Sequence, residues 1–193
     1  MNFSVSTTEG VFQPAAEEWV LVFRYTGDFL PVSATELAAL SALQGQFQRN
    51  SCAILCLSGD SLPVHLAFLE NLSRHAGGPV TLPLGTAPCH GKTLQLWDPA
   101  GQLRAEFCYP DTVGVNFTEA LRTLLALQSG KTTPCGWVPE GETLALPPAT
   151  RKELCHYVAE QEKAGHICVD WYVCYENPTA ESPMQAKRKR MER

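Results

Sequence analysis

The sequence predicts an α/β fold in which a central mixed sheet is flanked by helices. Three observations carry this reading. Residues 19–25 and 53–57 form short, nearly continuous apolar runs, as expected of strands buried on both faces. Each run is followed by a stretch with apolar residues at helical spacing. Finally, residues 93–97 and 103–107 flank Asp98-Pro99-Ala100-Gly101, which reads as the turn of an antiparallel hairpin.

The elements then follow in order. After the first strand, residues 35–48 place Leu37, Leu40, Leu43 and Phe47 on one face of a helix, and Ser33 stands where an N-cap is expected. The strand at 53–57 leads to a helix over 62–74. The hairpin leads to an amphipathic helix over 117–127. Pro147-Pro148 opens an appendage with a helix over 149–163, stopped at Gly165. Beyond Asn177 the chain is rich in Pro, Ser and charge and is expected to be disordered. The organisation is therefore a first domain over residues 1–145, an extension over 146–176 and a basic tail over 177–193.

Bulk composition narrows the function. A chain of 193 residues with 45% hydrophobic residues suffices for one real core and an appendage. A net charge of −5 gives no global reason to bind nucleic acid. The run Lys187-Arg188-Lys189-Arg190 reads as a solvated tail. Met1-Asn2-Phe3-Ser4-Val5 has neither a basic start nor an apolar run, so no secretory signal is expected. No stretch approaches the roughly 20 apolar residues of a membrane span. A reducing cytoplasm is expected, with most of the eight cysteines as free thiols.

The segment from Val20 to Leu37 contains the most informative residues. It resembles the active-site strand, loop and helix start of a peroxiredoxin, in which the loop reads Pro-x-x-x-Thr/Ser-x-x-Cys. Here Thr26 stands at the proline position, Leu30 at the threonine position and Ser33 at the cysteine position. The resemblance covers most of residues 15–145. Asp60-Ser61 with His65-Leu66-Ala67-Phe68 matches a strand-to-helix step, and Val113-Gly114 precedes the long last helix. It implies a thioredoxin-like fold of the peroxiredoxin, AhpC/TSA type, in shortened form. Two segments are shorter than in the family. Few residues precede the first core strand, so most N-terminal strands are expected to be missing. Between Leu84 and Lys92 there is no room for the helix that usually frames the pocket.

In that family a cysteine thiolate attacks peroxide, passing through a sulfenic acid that a second thiol resolves. A serine hydroxyl offers almost no alkoxide at neutral pH and has no such redox ladder. The arginine that would polarise the peroxide aligns with Lys92, a point charge without a planar fork, and a second arginine position holds Val115. The joint replacement at Thr26, Leu30, Ser33, Lys92 and Val115 leans against catalysis at this site. It predicts a degenerate peroxiredoxin acting as a structural or interaction subunit. The expected partners are copies of itself, as a dimer or larger ring, or an intact peroxiredoxin; no cofactor is expected.

The cysteines supply the alternative, a thiol peroxidase, disulfide oxidoreductase or redox sensor. Cys135, before Gly136-Trp137, resembles the resolving position. Cys89 lies in the shortened loop, and Cys168 and Cys174 flank an aromatic segment; Cys135 with Cys168 or Cys174 is a candidate disulfide. Cys52 and Cys56 share a strand face about 13 Å apart and read as core thiols, and Cys108 at a strand end reads likewise. Cys155, His156, His166, Cys168 and Cys174 are suitable metal-ligand types. They lack paired Cys-x-x-Cys spacing, so no metal is expected.

Overall fold

A computed structural model describes residues 4–88 and 91–176. Its elements divide into two compact units, Met1–Thr123 and Leu124–Arg193. The boundary expected at residue 145 falls inside the second unit. Cys89, His90 and the tail over 177–193 lie outside the described residues.

The first unit holds strands β1 (Val5–Thr7), β2 (Gly10–Phe12) and β3 (Trp19–Arg24), then helix α1 (Pro31–Arg49) and β4 (Cys52–Ser58). Helix α2 (Leu62–His75), β5 (Leu84–Thr86), β6 (Lys92–Trp97) and β7 (Leu103–Tyr109) follow, with α3 (Phe117–Ser129) crossing the unit boundary. The seven strands form one sheet in the order β2-β1-β5-β4-β3-β6-β7. Its centre is parallel, with β3 beside β4 and β4 beside β5, whereas β6 and β7 run antiparallel at one side. This mixed α/β sheet is the thioredoxin-like arrangement that the element order predicts.

Burial explains why β3 and β4 read as continuous apolar runs. Leu21, Phe23 and Tyr25 are sealed from solvent on one face. On the other, Val20 and Val22 pack with Leu55 and Leu57 beneath Val5, Phe12 and Trp97. Each such fully buried aliphatic or aromatic side chain contributes roughly 1.5–3 kcal/mol. The antiparallel β6–β7 hairpin turns through Gly101 at φ +74, where Asp98 accepts from the Gly101 and Gln102 amides. Its outer strand β7 ends the sheet and is largely exposed.

Two expectations need correction. The N-terminal segment is not bare: β1 and β2 form a hairpin, and β1 docks on β5. Three-residue strands carry too little periodicity to be read from sequence. Gly85 makes the docking fit, since a Cβ there would sit 2.9 Å from Val5 Cγ1. Nor is Ser33 an N-cap. Pro31 starts α1 with its φ already helical, so the N-cap is Leu30, which offers no side-chain cap, and Ser33 lies inside the first turn. No helix intervenes between α2 and β6 among the described residues, in keeping with the short segment there.

The second unit contains β8 (Thr143–Leu144), α4 (Arg151–Lys163), β9 (Ile167–Asp170) and β10 (Val173–Glu176), with the strands ordered β8-β10-β9. Helix α4 starts at Arg151 because Thr150 and Glu153 form a capping box. The unit's buried cluster is small: Ala145, Tyr157 and Cys174, with Val158 and Cys168 packed against it.

Candidate functional site

The loop between β3 and α1 is held from below by a buried polar network. Asp28 accepts from the Tyr25 hydroxyl at 2.6 Å and from His65 Nδ1, on α2, at 2.7 Å. A carboxylate only accepts, so the imidazole proton sits on Nδ1. His65 is fully buried, and its Nε2 finds no partner among the described residues. The Asp28 amide donates to Asp60 Oδ2 at 2.8 Å, which also accepts from Ser58 Oγ. Burial, reinforced by the bond to Asp28, pushes the Tyr25 phenol far above its ordinary range, so it stays a donor. With both ends fixed, the loop places Phe29 at φ +57, an unusual conformation for a bulky residue, with its ring against Phe68 at 4.9 Å.

Thr26 and Val115, two of the positions singled out in the sequence, are linked to Lys92 through Asp111 and Glu36. The Lys92 side chain is 1% exposed, and the ammonium donates to Glu36 Oε1 at 2.8 Å, Val113 O at 2.8 Å and Asp111 O at 3.1 Å. Three protons meet three acceptors, so the cation is saturated by protein. Glu36, 3% exposed, also accepts from the Val115 amide at 3.1 Å, while its Oε2 has no partner among the described residues. Thr26 Oγ1 donates to Asp111 Oδ1 at 2.9 Å on the same loop. Thr26, Lys92 and Val115 are thus joined through residues 111–115. Ser33, 1% exposed, sits one turn before Glu36 on α1. Leu30 stands apart, 41% exposed at the helix start.

Sequence reasoning identified Lys92 but missed Glu36. The available signal was alternation along 92–97, which turns Lys92 inward with Leu94 and Leu96; a buried ammonium requires a carboxylate nearby. The Tyr25-Asp28-His65 network was missed too, because its members are far apart in sequence and individually ordinary.

The cysteines separate into three groups. Cys52 and Cys56 are buried and free, and burial pushes the Cys52 thiol up to about 12 and Cys56 higher still, so neither supplies thiolate. Cys108, Cys135 and Cys155 are exposed and free. Cys168 and Cys174 are joined as a disulfide across the β9–β10 pair. The pairing expected for Cys135 is therefore not formed. The β9–β10 register sets Cys168 directly opposite Cys174, which makes them each other's nearest partner. Among the described residues, no three His, Cys, Asp or Glu side chains gather where they could hold a metal ion. No helix among them is long and apolar enough to cross a membrane.

Comparison with known proteins places this geometry. The AhpC/TSA family matches residues 4–116. A peroxiredoxin of Aquifex aeolicus is 30% identical over 189 residues, covering 81% of this chain and 83% of that protein. Peroxiredoxin 2 of Caldanaerobacter subterraneus subsp. tengcongensis is 29% identical over 180 residues, covering 82% and 80%. Among solved structures, a cysteine-to-serine mutant of peroxiredoxin 6 from Arenicola marina superposes with a TM-score of 0.76 at 23% identity, covering 94% of this chain and 96% of that one. Yeast mitochondrial 1-Cys peroxiredoxin gives 0.75 at 23% identity, covering 91% and 95%. With a family match over more than half of its 193 residues and relatives similar along most of their length, the chain belongs to the AhpC/TSA family of peroxiredoxins.

Proposed function

We propose that this chain is a peroxiredoxin whose ancestral peroxide site has been retired, and that it acts as a self-assembling structural or interaction subunit. The observation that carries this reading is the state of Lys92. All three of its protons are held by Glu36 and two backbone carbonyls, leaving no donor to polarise a peroxide bound near Ser33. Ser33 itself offers a hydroxyl where peroxide chemistry needs a thiolate. The same cation that would serve a reaction here ties residues 111–113 to α1.

The partner in this reading is a second copy, met at the exposed edge of β7, whose free amides and carbonyls can template another strand. An intact peroxiredoxin is the other partner of the same chemistry. A cytoplasmic setting belongs to the reading as well.

Light scattering under reducing and oxidising conditions, paired with peroxide consumption driven by a thioredoxin-type reductant, tests both halves. A dimer or larger assembly without turnover is expected. A monomer at micromolar concentration would remove the assembly, and turnover abolished by one Cys→Ser substitution would restore the enzyme. That second outcome has one candidate in view, the exposed free thiol of Cys135, and a second, Cys89, outside the described residues.

A further inference from the structure

We infer that the second unit carries a binding site for a small zwitterion, a free α-amino acid or short peptide with an apolar side chain. The site is the cleft bounded by residues 130–132, β8, the end of β10 and the C-terminal part of α4. None of the residues that build it belongs to the altered peroxide site.

The cleft has a volume of about 440 Å³, within the roughly 300–1,000 Å³ of small-molecule sites. Its walls are fixed from three directions. Residues 130–132 leave α3 through Gly130 at φ +64 and fasten to β8, where the Leu144 amide donates to Thr132 O at 2.8 Å. Leu146 is anchored to α4, because its carbonyl accepts from the Tyr157 hydroxyl at 2.7 Å. His166 is held twice by Gln161 of α4: its amide donates to Gln161 O at 3.0 Å, and its Nδ1 to Gln161 Oε1 at 2.7 Å.

The charges that line the cleft are one of each sign, Lys131 and Glu176, and neither forms an ion pair among the described residues. Thr143 Oγ1 donates to Glu176 Oε2 at 2.9 Å, which leaves Oε1 to accept from a ligand. Ile167 pairs with Tyr175 across β9 and β10, so His166 and Glu176 are the next opposed positions on one face. With its Nδ1 proton committed to Gln161, His166 offers Nε2 as a second acceptor beside that carboxylate. Together they suit an ammonium. Thr132 and Glu176 lie on either side of β8, roughly 10 Å apart at two strand spacings. Lys131, next to Thr132, has a long exposed side chain that closes this distance towards a ligand carboxylate. A ligand with a single charge would leave either Lys131 or Glu176 unmatched, whereas a zwitterion meets both. Half-buried Leu144 and Leu146, 75% exposed, supply apolar surface for its side chain.

The test titrates the isotope-labelled full chain with L-leucine and, separately, with the dipeptide Leu-Leu, following backbone amides by nuclear magnetic resonance. Saturable shifts are expected at residues 130–132, 144–146, 166 and 176, with β3 and β4 unmoved. Saturation by both probes, or by the dipeptide alone, supports the site and distinguishes the two sources of ligand. N-acetyl-L-leucine and L-leucinamide, each lacking one charge, should bind at least about tenfold more weakly. So should the dipeptide to Glu176→Gln, which keeps an acceptor for Thr143, and to Lys131→Met, which alters an exposed side chain. Absence of saturable shifts for both probes up to about 10 mM overturns the inference. So does equal affinity for the blocked derivatives, or binding that neither substitution weakens.

Discussion

The interior around Lys92 and the sheet around Cys174 solve the same problem by different means. Each must hold in place a feature whose partner lies elsewhere in the chain. In the first unit a charge is buried under a layered core and matched, proton for proton, by Glu36 and two carbonyls. In the second, the cluster is too small to supply comparable burial, and a covalent bond crosses it instead. The contrast teaches where each region is vulnerable. A matched charge tolerates oxidants and fails when one partner is deleted; a covalent link tolerates deletion of a polar neighbour and fails when electrons arrive.

The largest effect that would break this contrast is expected at Lys92. Lys92→Met leaves the Glu36 carboxylate buried without its cation and should lower unfolding free energy by about 3–5 kcal/mol, read from denaturant midpoints. Adding Glu36→Leu should recover most of that loss, and a double variant as unstable as the single one would show that the pair is not matched as described. Next comes Asp28→Ala, which strips the acceptor from both Tyr25 and His65 and should cost about 2–4 kcal/mol.

A third effect appears only at alkaline pH. Burial raises the thiols of Cys52 and Cys56, and burial with Asp28 raises the Tyr25 phenol. The unfolded chain therefore releases these protons first. Their contribution to stability should stay level below about pH 9 and fall as pH rises beyond it, by about 1.4 kcal/mol per pH unit for each group whose unfolded form has titrated. Cys56→Val should flatten the slope by one group's share, and an unchanged slope would exclude that thiol as a source. The smallest effect lies in the second unit. Thr150→Ala removes a capping box and should cost α4 about 1 kcal/mol, seen as faster amide exchange in its first turn with β3 and β4 unaffected.

What the sequence made legible follows from which interactions are local. Continuous apolar runs located β3 and β4, and Gly101 after Asp98-Pro99 located the hairpin, because both signals lie within a few residues. The loop spacing from Thr26 to Ser33 carried the family resemblance that the family match bears out. The start of α1 was misplaced because a proline inside the loop initiates the helix three residues earlier than Ser33 would as a cap. Strands β1, β2, β5, β8, β9 and β10 were not anticipated; each is two to four residues long, too short to carry a periodic signal. The Lys92–Glu36 pair spans 56 positions, and no local pattern announces such a partner.

The unequal edges of the seven-stranded sheet carry one more consequence. One edge is β2, three residues long, and the other is β7, seven residues long. A copy added to β7 in antiparallel fashion would present its own β7, so the contact would be two-fold and self-complementary. That pairing would use up both long edges of the seven-stranded sheet at once and leave it only the three-residue β2 edges, too short to recruit another sheet. Growth by strand addition would then terminate at two chains, so any larger ring would have to be closed through a different surface.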